Sequence, residues 1–439
     1  MNGIGRVLRF RVRKSPTDVD TVLRYMVWTA FHDVPFYRRT WDAAGVTLDG
    51  FRGSEDLLRL PVTAKADLVA RGLPDRLSTR VRPGRTTSRV TSGMSGQDLE
   101  VHMSPSELRF RQLCLGAHIW RDANYTLPLS IVLAGAWIPP VNRGEVRTSK
   151  TVFGQVVHIS RNLPIQTQID ALVKSKPTVL TGCPSNLEIL ACEMARLGDD
   201  CVRPAIIATR GEVLRPQVRK LLGDVFACRV TDYYSSEEMG LIAWQCPDIP
   251  EIMHVNRNTC VVEVLDDRGE PVSSGEEGAV VVTNLFNTTM PFIRYALGDR
   301  STLLGNVSAQ CRCRHRGQTI QTPSGRADDF IILPDRRRIS PRTIDDFVYL
   351  ACAADGLDGC FTRSMRDYQI VQESPARIVV RFLTDDIAPA VVGDVLATHL
   401  RTLHPDLECD VISVAEMEAM DSGKRKRVIS HVSDDVPPQ

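Results

Sequence analysis

The sequence predicts an α/β protein with a large N-terminal domain and a small α+β C-terminal domain. Its 439 residues exceed what one compact core of ordinary size holds, so at least two domains are expected. Between residues 130 and 300, short apolar runs alternate with helical patterns, which is typical of parallel strands joined by crossover helices. This alternation stops near residues 325–340, where Gly325, Pro334 and an arginine-rich stretch interrupt it. We therefore place a domain boundary there.

The elements of the large domain can be read in chain order. A helical pattern starts near residue 18, and residues 85–104 predict a strand, a loop rich in glycine and serine, and a second strand. Residues 259–283 differ from the parallel region because they predict antiparallel hairpins, which adds a small β-barrel-like part to the mixed and parallel sheets. Within the alternating region, strands are expected at 130–134, 178–181, 205–209 and 229–232, with helices at 185–197 and 215–223.

The C-terminal block has the size of a small separate domain, at about 100 residues. We expect domains at residues 1–327 and 328–439. The expected elements of the second domain are a helix at 341–353, strands at 368–372 and 377–383, a helix at 388–403 and a strand at 409–414.

Composition excludes several classes of protein. Hydrophobic residues at 43% and charged residues at 24% are ordinary for a soluble globular enzyme. A net charge of +1 gives no basic field that would attract nucleic acid, although only 8 of the 54 basic side chains are lysines. The sequence contains no uncharged apolar run long enough to predict a membrane span. Arginines interrupt the first residues, so a secretory signal is not expected, and we predict a cytoplasmic protein whose 12 cysteines are reduced.

Two loops carry residues suited to a nucleotide. Residues 91–96 combine two glycines with three hydroxyl side chains between two strands, and successive N–H groups of such a loop can hold phosphate oxygens. A hairpin turn built from small residues is the simpler alternative. Residues 232–240 follow a strand-like run, where a carboxylate can bind Mg²⁺ and a tyrosine ring can stack on a base. A solvated loop explains that stretch as well.

Three later segments have similar alternatives. Asp299 can accept two hydrogen bonds from a ribose diol, or it can belong to an ordinary turn. Residues 325–329 predict either a hinge or a solvated linker. Lys424, which follows Gly423, can deliver a point charge to a phosphate, or it can be part of a basic tail.

Taken in order, these segments resemble the adenylate-forming superfamily, and specifically its phenylacetate–CoA ligase branch. The resemblance also includes residues 34–37 and Gly211-Glu212, and it covers nearly the whole chain. It implies an N-terminal domain that binds ATP and a carboxylic acid, and a mobile C-terminal lid. Asp328 would be the hinge between them.

The resemblance assigns roles to single residues. Tyr234 and Glu238 would contact adenine and Mg²⁺, with Tyr233 and Glu237 as the alternative pair one residue earlier. Lys424 would bridge the attacking carboxylate and the α-phosphate. The remaining implied contacts are phosphate binding by Ser92, Gly93, Ser95 and Gly96, the adenine pocket at Gly211 and Glu212, ribose at Asp299, and ribose or phosphate at Arg326.

The implied activity is ATP-dependent activation of a small carboxylic acid, with aromatic acids favoured, through an acyl-adenylate. A thiol of CoA or of carrier-protein phosphopantetheine would then accept the acyl group. Relatives of this branch are often dimers, so the resemblance also implies a homodimer. Amide synthesis from the same adenylate is an alternative. A non-catalytic nucleotide-binding relative is another, because Met94 stands where this family usually has a serine or threonine.

A last group of residues suits a metal. Cys246 and His254 precede the pair Cys311 and Cys313, and three thiolates with one imidazole form a tetrahedral structural Zn²⁺ set. Relatives in the branch carry cysteine and histidine at similar places, which adds to this prediction. His315 is a competing ligand, and unrelated buried thiols are the alternative.

Overall fold

The computed structural model describes most of the chain in separate stretches. The described residues are 18–82, 84–91, 98–122, 129–136, 146–151, 154–161, 163–198, 201–305, 311, 313, 317–354, 367–384, 389–415, 417 and 427–432.

The N-terminal part is helical and packs on the larger of the hydrophobic cores. Asp18 caps the first helix by accepting the N–H of Asp20, and Pro35 starts the second helix at a position where its missing N–H costs nothing. Apolar faces of both helices contact the antiparallel strands described below. These elements are α1 (Val19–Asp33), α2 (Pro35–Ala43), a 3₁₀ helix (Ser54–Arg59), α3 (Lys65–Val69) and α4 (Leu73–Arg76).

Both strands predicted within residues 85–104 are confirmed, and the loop predicted between them lies outside the described residues. β1 (Thr87–Thr91) and β2 (Leu99–Met103) form an antiparallel pair, and α5 (Pro105–Asp122) follows. Thr91 accepts the N–H of Leu99 on its hydroxyl, at 3.1 Å, which closes the described end of the hairpin.

The predicted alternation of strands and helices is also confirmed. Five strands pair in parallel in the order β5-β3-β6-β7-β8, and β4 joins the β5 edge in the antiparallel sense. The helices bury their apolar faces against this sheet. The elements are β3 (Leu129–Ala136), β4 (Val146–Thr151), β5 (Gly154–Ser160), α6 (Ile165–Ser175), β6 (Val179–Gly182), α7 (Pro184–Leu197), β7 (Ile206–Arg210), α8 (Pro216–Phe226) and β8 (Arg229–Ser236).

The antiparallel strands continue the same sheet beyond β8. Their pairing runs β8-β9-β10-β14-β13-β12-β11, so the barrel-like part expected from the sequence is an extension of the large sheet. A short strand pairs with β13 and leads towards the C-terminal block. The elements are β9 (Gly240–Gln245), β10 (Ile252–Val255), β11 (Cys260–Leu265), β12 (Glu277–Asn284), β13 (Tyr295–Gly305), β14 (Thr319–Gln321) and β15 (Gly325–Arg326).

The C-terminal block has a sheet of its own in the order β20-β19-β18-β21. Its hydrophobic core draws on described residues from Ile331 to Val428. The described part of the chain contains no helix long and apolar enough to cross a bilayer. The elements are a 3₁₀ helix (Ala327–Asp329), β16 (Ile331–Ile332), β17 (Arg338–Ile339), α9 (Pro341–Ala354), β18 (Asp367–Ser374), β19 (Arg377–Leu383), α10 (Pro389–Leu400), a 3₁₀ helix (Arg401–Leu403), β20 (Glu408–Ser413) and β21 (Val428–Ser430).

Candidate functional site

The carboxyl ends of β6, β7 and β8 meet at one edge of the sheet, where open α/β sheets bind ligands. Gly211 directly follows β7 with a φ of 84°, in the left-handed region that glycine adopts without strain. A Cβ atom there would lie 3.6 Å from Cys183 Sγ. Glu212 accepts the backbone N–H of Ser185 at 3.0 Å, near the N-terminus of α7. Gly211 and Glu212 therefore fix the connection between neighbouring strand ends.

Tyr234 joins two of the sequence-predicted segments. Its phenol donates a hydrogen bond to Asp299 Oδ2 at 2.7 Å. Burial and the adjacent Asp299 carboxylate raise the pKa of Tyr234 well above its ordinary value, so the phenol stays protonated as a donor. Asp299 lies opposite Arg326 in the pairing of β13 with β15. The structure thus brings Tyr234, Asp299 and Arg326 to one place.

Gly298 makes room for Arg326. It has a φ of 80°, and a Cβ atom built on it would lie 2.7 Å from Arg326 Nη2. The same guanidinium donates through Nη1 to the carbonyl of Leu297 at 3.3 Å. The close approach of this arginine to the turn therefore depends on the missing side chain at position 298.

Tyr233 lies on the opposite face of β8. It is buried beside Trp244 in a small core cluster, and its phenol donates to the Asp122 carboxylate. Burial and Asp122 raise the pKa of Tyr233 well above its ordinary value. The alternation of side chains along a strand therefore separates Tyr233 from the Tyr234–Asp299 pair.

Glu237 and Glu238 follow β8 and face different surroundings. Glu238 is buried, and its Oε1 accepts the phenol of Tyr295 at 3.2 Å. Glu237 Oε2 lies 2.8 Å from Arg111 Nη1 and 4.0 Å from Arg89 Nη1. Burial favours a higher pKa for Glu237, but Arg111, Arg89 and Arg210 together outweigh it and lower that pKa. Glu237 is therefore the charged carboxylate on the arginine-lined side.

Several predicted site residues cannot be compared with this geometry. Ser92, Gly93, Ser95, Gly96 and Lys424 lie outside the described residues. Met94 and His315 do so too.

The four predicted metal ligands come together. Cys313 Sγ is 3.1 Å from His254 Nε2 and 2.9 Å from Cys311 Sγ, and Cys311 Sγ is 3.8 Å from the same imidazole nitrogen. The ligand atoms of these residues and Cys246 all lie within 4.8 Å of one another. A tetrahedral site with Zn–S bonds of about 2.3 Å would place sulfur atoms about 3.8 Å apart, so the 2.9 Å between Cys311 and Cys313 would widen when the ion binds. The donor set and its compactness therefore fit Zn²⁺.

The arginines around Glu237 were not predicted from the sequence. Arg89 is on β1, Arg111 on α5 and Arg210 at the end of β7, so they are far apart along the chain. The excess of arginine over lysine indicated that guanidinium groups carry most of the positive charge, but it could not identify which of the arginines converge.

Comparison with known proteins gives a consistent result, although no family model matches the chain. A phenylacetate–coenzyme A ligase of Thermus thermophilus is 28% identical over 320 residues, which cover 71% of this chain and 70% of the relative. A 2-hydroxyisobutyryl-CoA ligase in its postadenylation state, in complex with R3-HIB-AMP, has a TM-score of 0.74 at 19% identity, covering 94% of this chain and 88% of that structure. The same ligase with 2-HIB-AMP and CoA in the thioesterification state has a TM-score of 0.61 at 19% identity, covering 98% of this chain and 90% of that structure. Curated homologues and structural neighbours thus agree on adenylate-forming CoA ligases.

Proposed function

We propose that this chain, a homologue of the phenylacetate–CoA ligases with the adenylate-forming fold, activates a small carboxylic acid with ATP and transfers the acyl group from the acyl-adenylate to CoA. The observation that carries this proposal is the contact between Tyr234 and Asp299, which joins two motif segments 65 residues apart at the ligand-binding edge of the sheet. The matched ligase, solved with an acyl-AMP and with CoA, supports both half-reactions.

The chain's own groups have separable tasks in this proposal. The Asp299 carboxylate, held by the Tyr234 phenol, would accept the ribose hydroxyls, and Arg326 beside it would contact ribose or phosphate. Gly211 and Glu212 would border the adenine. Ser92, Gly93, Ser95 and Gly96 would bind the terminal phosphates through backbone N–H groups. Carboxylate attack on the α-phosphate brings two anions together, and Lys424 would offset that charge.

Between the two candidate carboxylates, we propose Glu237 as the Mg²⁺ ligand. It is partly exposed and its lowered pKa keeps it ionised, and its carboxylate would leave the ion pair with Arg111 to bind the cation. Oxygen of an ionised carboxylate is the ligand that Mg²⁺ prefers. Bound there, Mg²⁺ would supply positive charge to the phosphate oxygens. Glu238 would have a positioning role through Tyr295.

Residues 328–439 are proposed to act as a lid that changes its position between the half-reactions. In the described arrangement, Arg427 at the start of the last strand contacts Glu188 on α7 at 3.4 Å. The higher TM-score for the postadenylation form than for the thioesterification form of one ligase supports a lid position close to the former.

An exchange assay tests the function directly. Full-length protein with Mg²⁺, ATP, radiolabelled pyrophosphate and a panel of aromatic, aliphatic and dicarboxylic acids should form labelled ATP only when an accepted acid is present. Adding CoA should then consume its free thiol in step with AMP release, whereas a carrier-protein or amine acceptor would leave CoA unchanged. ATP binding without exchange for any acid in folded protein would contradict the proposal and favour a non-catalytic relative.

We also propose a structural Zn²⁺ at Cys246, His254, Cys311 and Cys313. The site would tie β10 to the segment that precedes β14, because His254 lies on β10 and the cysteine pair precedes Gly317. Metal analysis of reduced protein should give about one zinc per chain in the wild type and in Cys201→Ser, whose thiol is exposed. Cys313→Ser should lose the zinc and unfold at a lower temperature. Wild type that neither contains zinc nor gains thermal stability on its addition would contradict the site.

A further inference from the structure

An excess of positive charge surrounds Glu237. Arg111 Nη1 lies 2.8 Å from Glu237 Oε2, and Arg89 Nη1 lies 4.0 Å from the same oxygen. Arg210 is also close enough to lower the pKa of Glu237. One carboxylate therefore faces three guanidinium groups, and its shortest ion pair is already made with Arg111.

The positive charge extends to β5. Burial lowers the pKa of His158, and Arg147, Arg210 and Arg89 lower it further, so the imidazole is neutral at physiological pH. His158 Nε2 lies 3.2 Å from Ser149 Oγ. Three arginines thus lie near enough to His158 to disfavour its charged form.

Arg210 differs from the other arginines of this group. It is the last residue of β7, it is partly buried, and within the described part of the chain it makes neither a hydrogen bond nor an ion pair. Burial lowers its pKa, with Glu237 and the Cys183 thiol acting in the opposite direction. A half-buried guanidinium that makes no ion pair with a described residue is available to bind an anionic group.

A second arginine lies at the same edge of the sheet. Arg161, which follows β5, donates through Nη2 to Cys183 Sγ at 3.3 Å. The same sulfur is 3.6 Å from where a Cβ of Gly211 would lie, so Arg161 and Arg210 flank Cys183 at the ends of β5, β6 and β7. Guanidinium groups bind carboxylate, sulfonate or phosphate through paired hydrogen bonds.

We propose that Arg210, with Arg161 beside it, binds a second anionic group on the acid substrate, so that the enzyme activates dicarboxylic or otherwise doubly anionic acids. The inference rests on the proposed function. It specifies that the substrate carries a second negative charge at the end remote from the reacting carboxylate, in contrast to an acid whose remainder is apolar. The competing source of an anion is the ATP triphosphate. Arg89 and Arg111 border the β1–β2 hairpin and suit that role, whereas Arg161 and Arg210 lie at the ends of β5 and β7.

Matched acid pairs test the proposal. Pyrophosphate exchange is measured for glutarate against valerate and for 4-carboxyphenylacetate against phenylacetate, with wild type, Arg210→Met and the exposed control Arg196→Met. Wild type and Arg196→Met should favour the doubly anionic member of at least one pair by about 100-fold in kcat/KM, which equals roughly two tenfold steps in binding. Arg210→Met should lose this preference through the KM for the acid, with the KM for ATP changed by less than about twofold.

Each outcome decides between the alternatives. A raised KM for ATP with an unchanged acid preference would assign Arg210 to the triphosphate and overturn the inference. Equal use of both members of each pair by wild type would overturn it while leaving the proposed function intact. If no acid supports exchange, the proposed function fails. Calorimetric titration of the same acids then decides the inference, which requires doubly anionic acids to bind wild type and not Arg210→Met.

Discussion

Two carboxylates in this molecule each face several arginines, and their surroundings differ in one respect. Glu188 on α7 accepts Arg215 at 2.6 Å and Arg427 at 3.4 Å, and side chains of all three are at most 14% exposed. Glu237 has comparable partners, but it is partly exposed, and Arg210 nearby makes no ion pair within the described residues. The first cluster is closed and joins three segments of the chain. The second, open cluster is partly exposed and contains more arginines than carboxylates, which suits the binding of an anionic ligand.

Breaking the closed cluster should have the largest effect. Glu188→Ala leaves the buried guanidinium of Arg215 without this carboxylate and removes the contact with Arg427, which should lower the free energy of unfolding by about 3–5 kcal/mol. Urea unfolding measures it. Glu193→Ala on the same helix removes an exposed pair with Arg196 and should cost less than about 1 kcal/mol. Equal effects of the two substitutions would show that Glu188 is no more than a surface partner.

Changing the open cluster should affect the rate more than the fold. Glu237→Gln should lower pyrophosphate exchange by about 10²–10³-fold, the typical cost of losing one charge-stabilising contact, and raise the Mg²⁺ concentration needed for half-maximal rate. Glu238→Gln keeps an oxygen for the Tyr295 phenol, so its rate should fall less than about tenfold. The opposite ranking of the two variants would make Glu238 the metal ligand.

A third carboxylate, that of buried Asp232, sharpens the comparison because its hydrogen bond comes from a hydroxyl and not from an arginine. Thr209 donates to Asp232 Oδ1 at 2.6 Å, and burial raises the pKa of Asp232 to about 6. The folded state then holds this proton to higher pH than the unfolded state, so stability falls as pH rises from about 4 to 6 and is constant above. Asp232→Asn cannot ionise.

The measurement is the free energy of unfolding at pH 5 and pH 7 for wild type and Asp232→Asn. Relative to the variant, wild type should lose about 1 kcal/mol between these two pH values. Subtracting the variant removes the contribution of other titrating groups. A difference that is the same at both pH values would mean that Asp232 is ionised throughout this range in the folded protein.

Much of the architecture was predictable from local pattern. The apolar runs at 178–181 and 205–209 are strands β6 and β7, because fully buried parallel strands require continuous apolar residues. The pair Cys311 and Cys313 and the distant Cys246 and His254 were predicted as one set, and the structure brings them together. The boundary at residues 327–328 stays a prediction.

The orientation of the adjacent acids could not be predicted in the same way. Pairing of β8 with β9 has an irregular register between Tyr234 and Ser235, and the acids stand in the turn that follows. A strand period of two therefore cannot be carried on to Glu237 and Glu238. The convergence of Arg89, Arg111 and Arg210 depends on tertiary contacts between distant segments, which no local pattern encodes.

The turn at Gly298 determines where the guanidinium of Arg326 can lie. Its shape at Arg326 is set by a hydrogen atom where other residues have a carbon, so adding a single methyl group would push a guanidinium away without altering any polar group. Alanine at position 298 would therefore displace the guanidinium of Arg326 while leaving its charge and the Tyr234–Asp299 hydrogen bond in the chain.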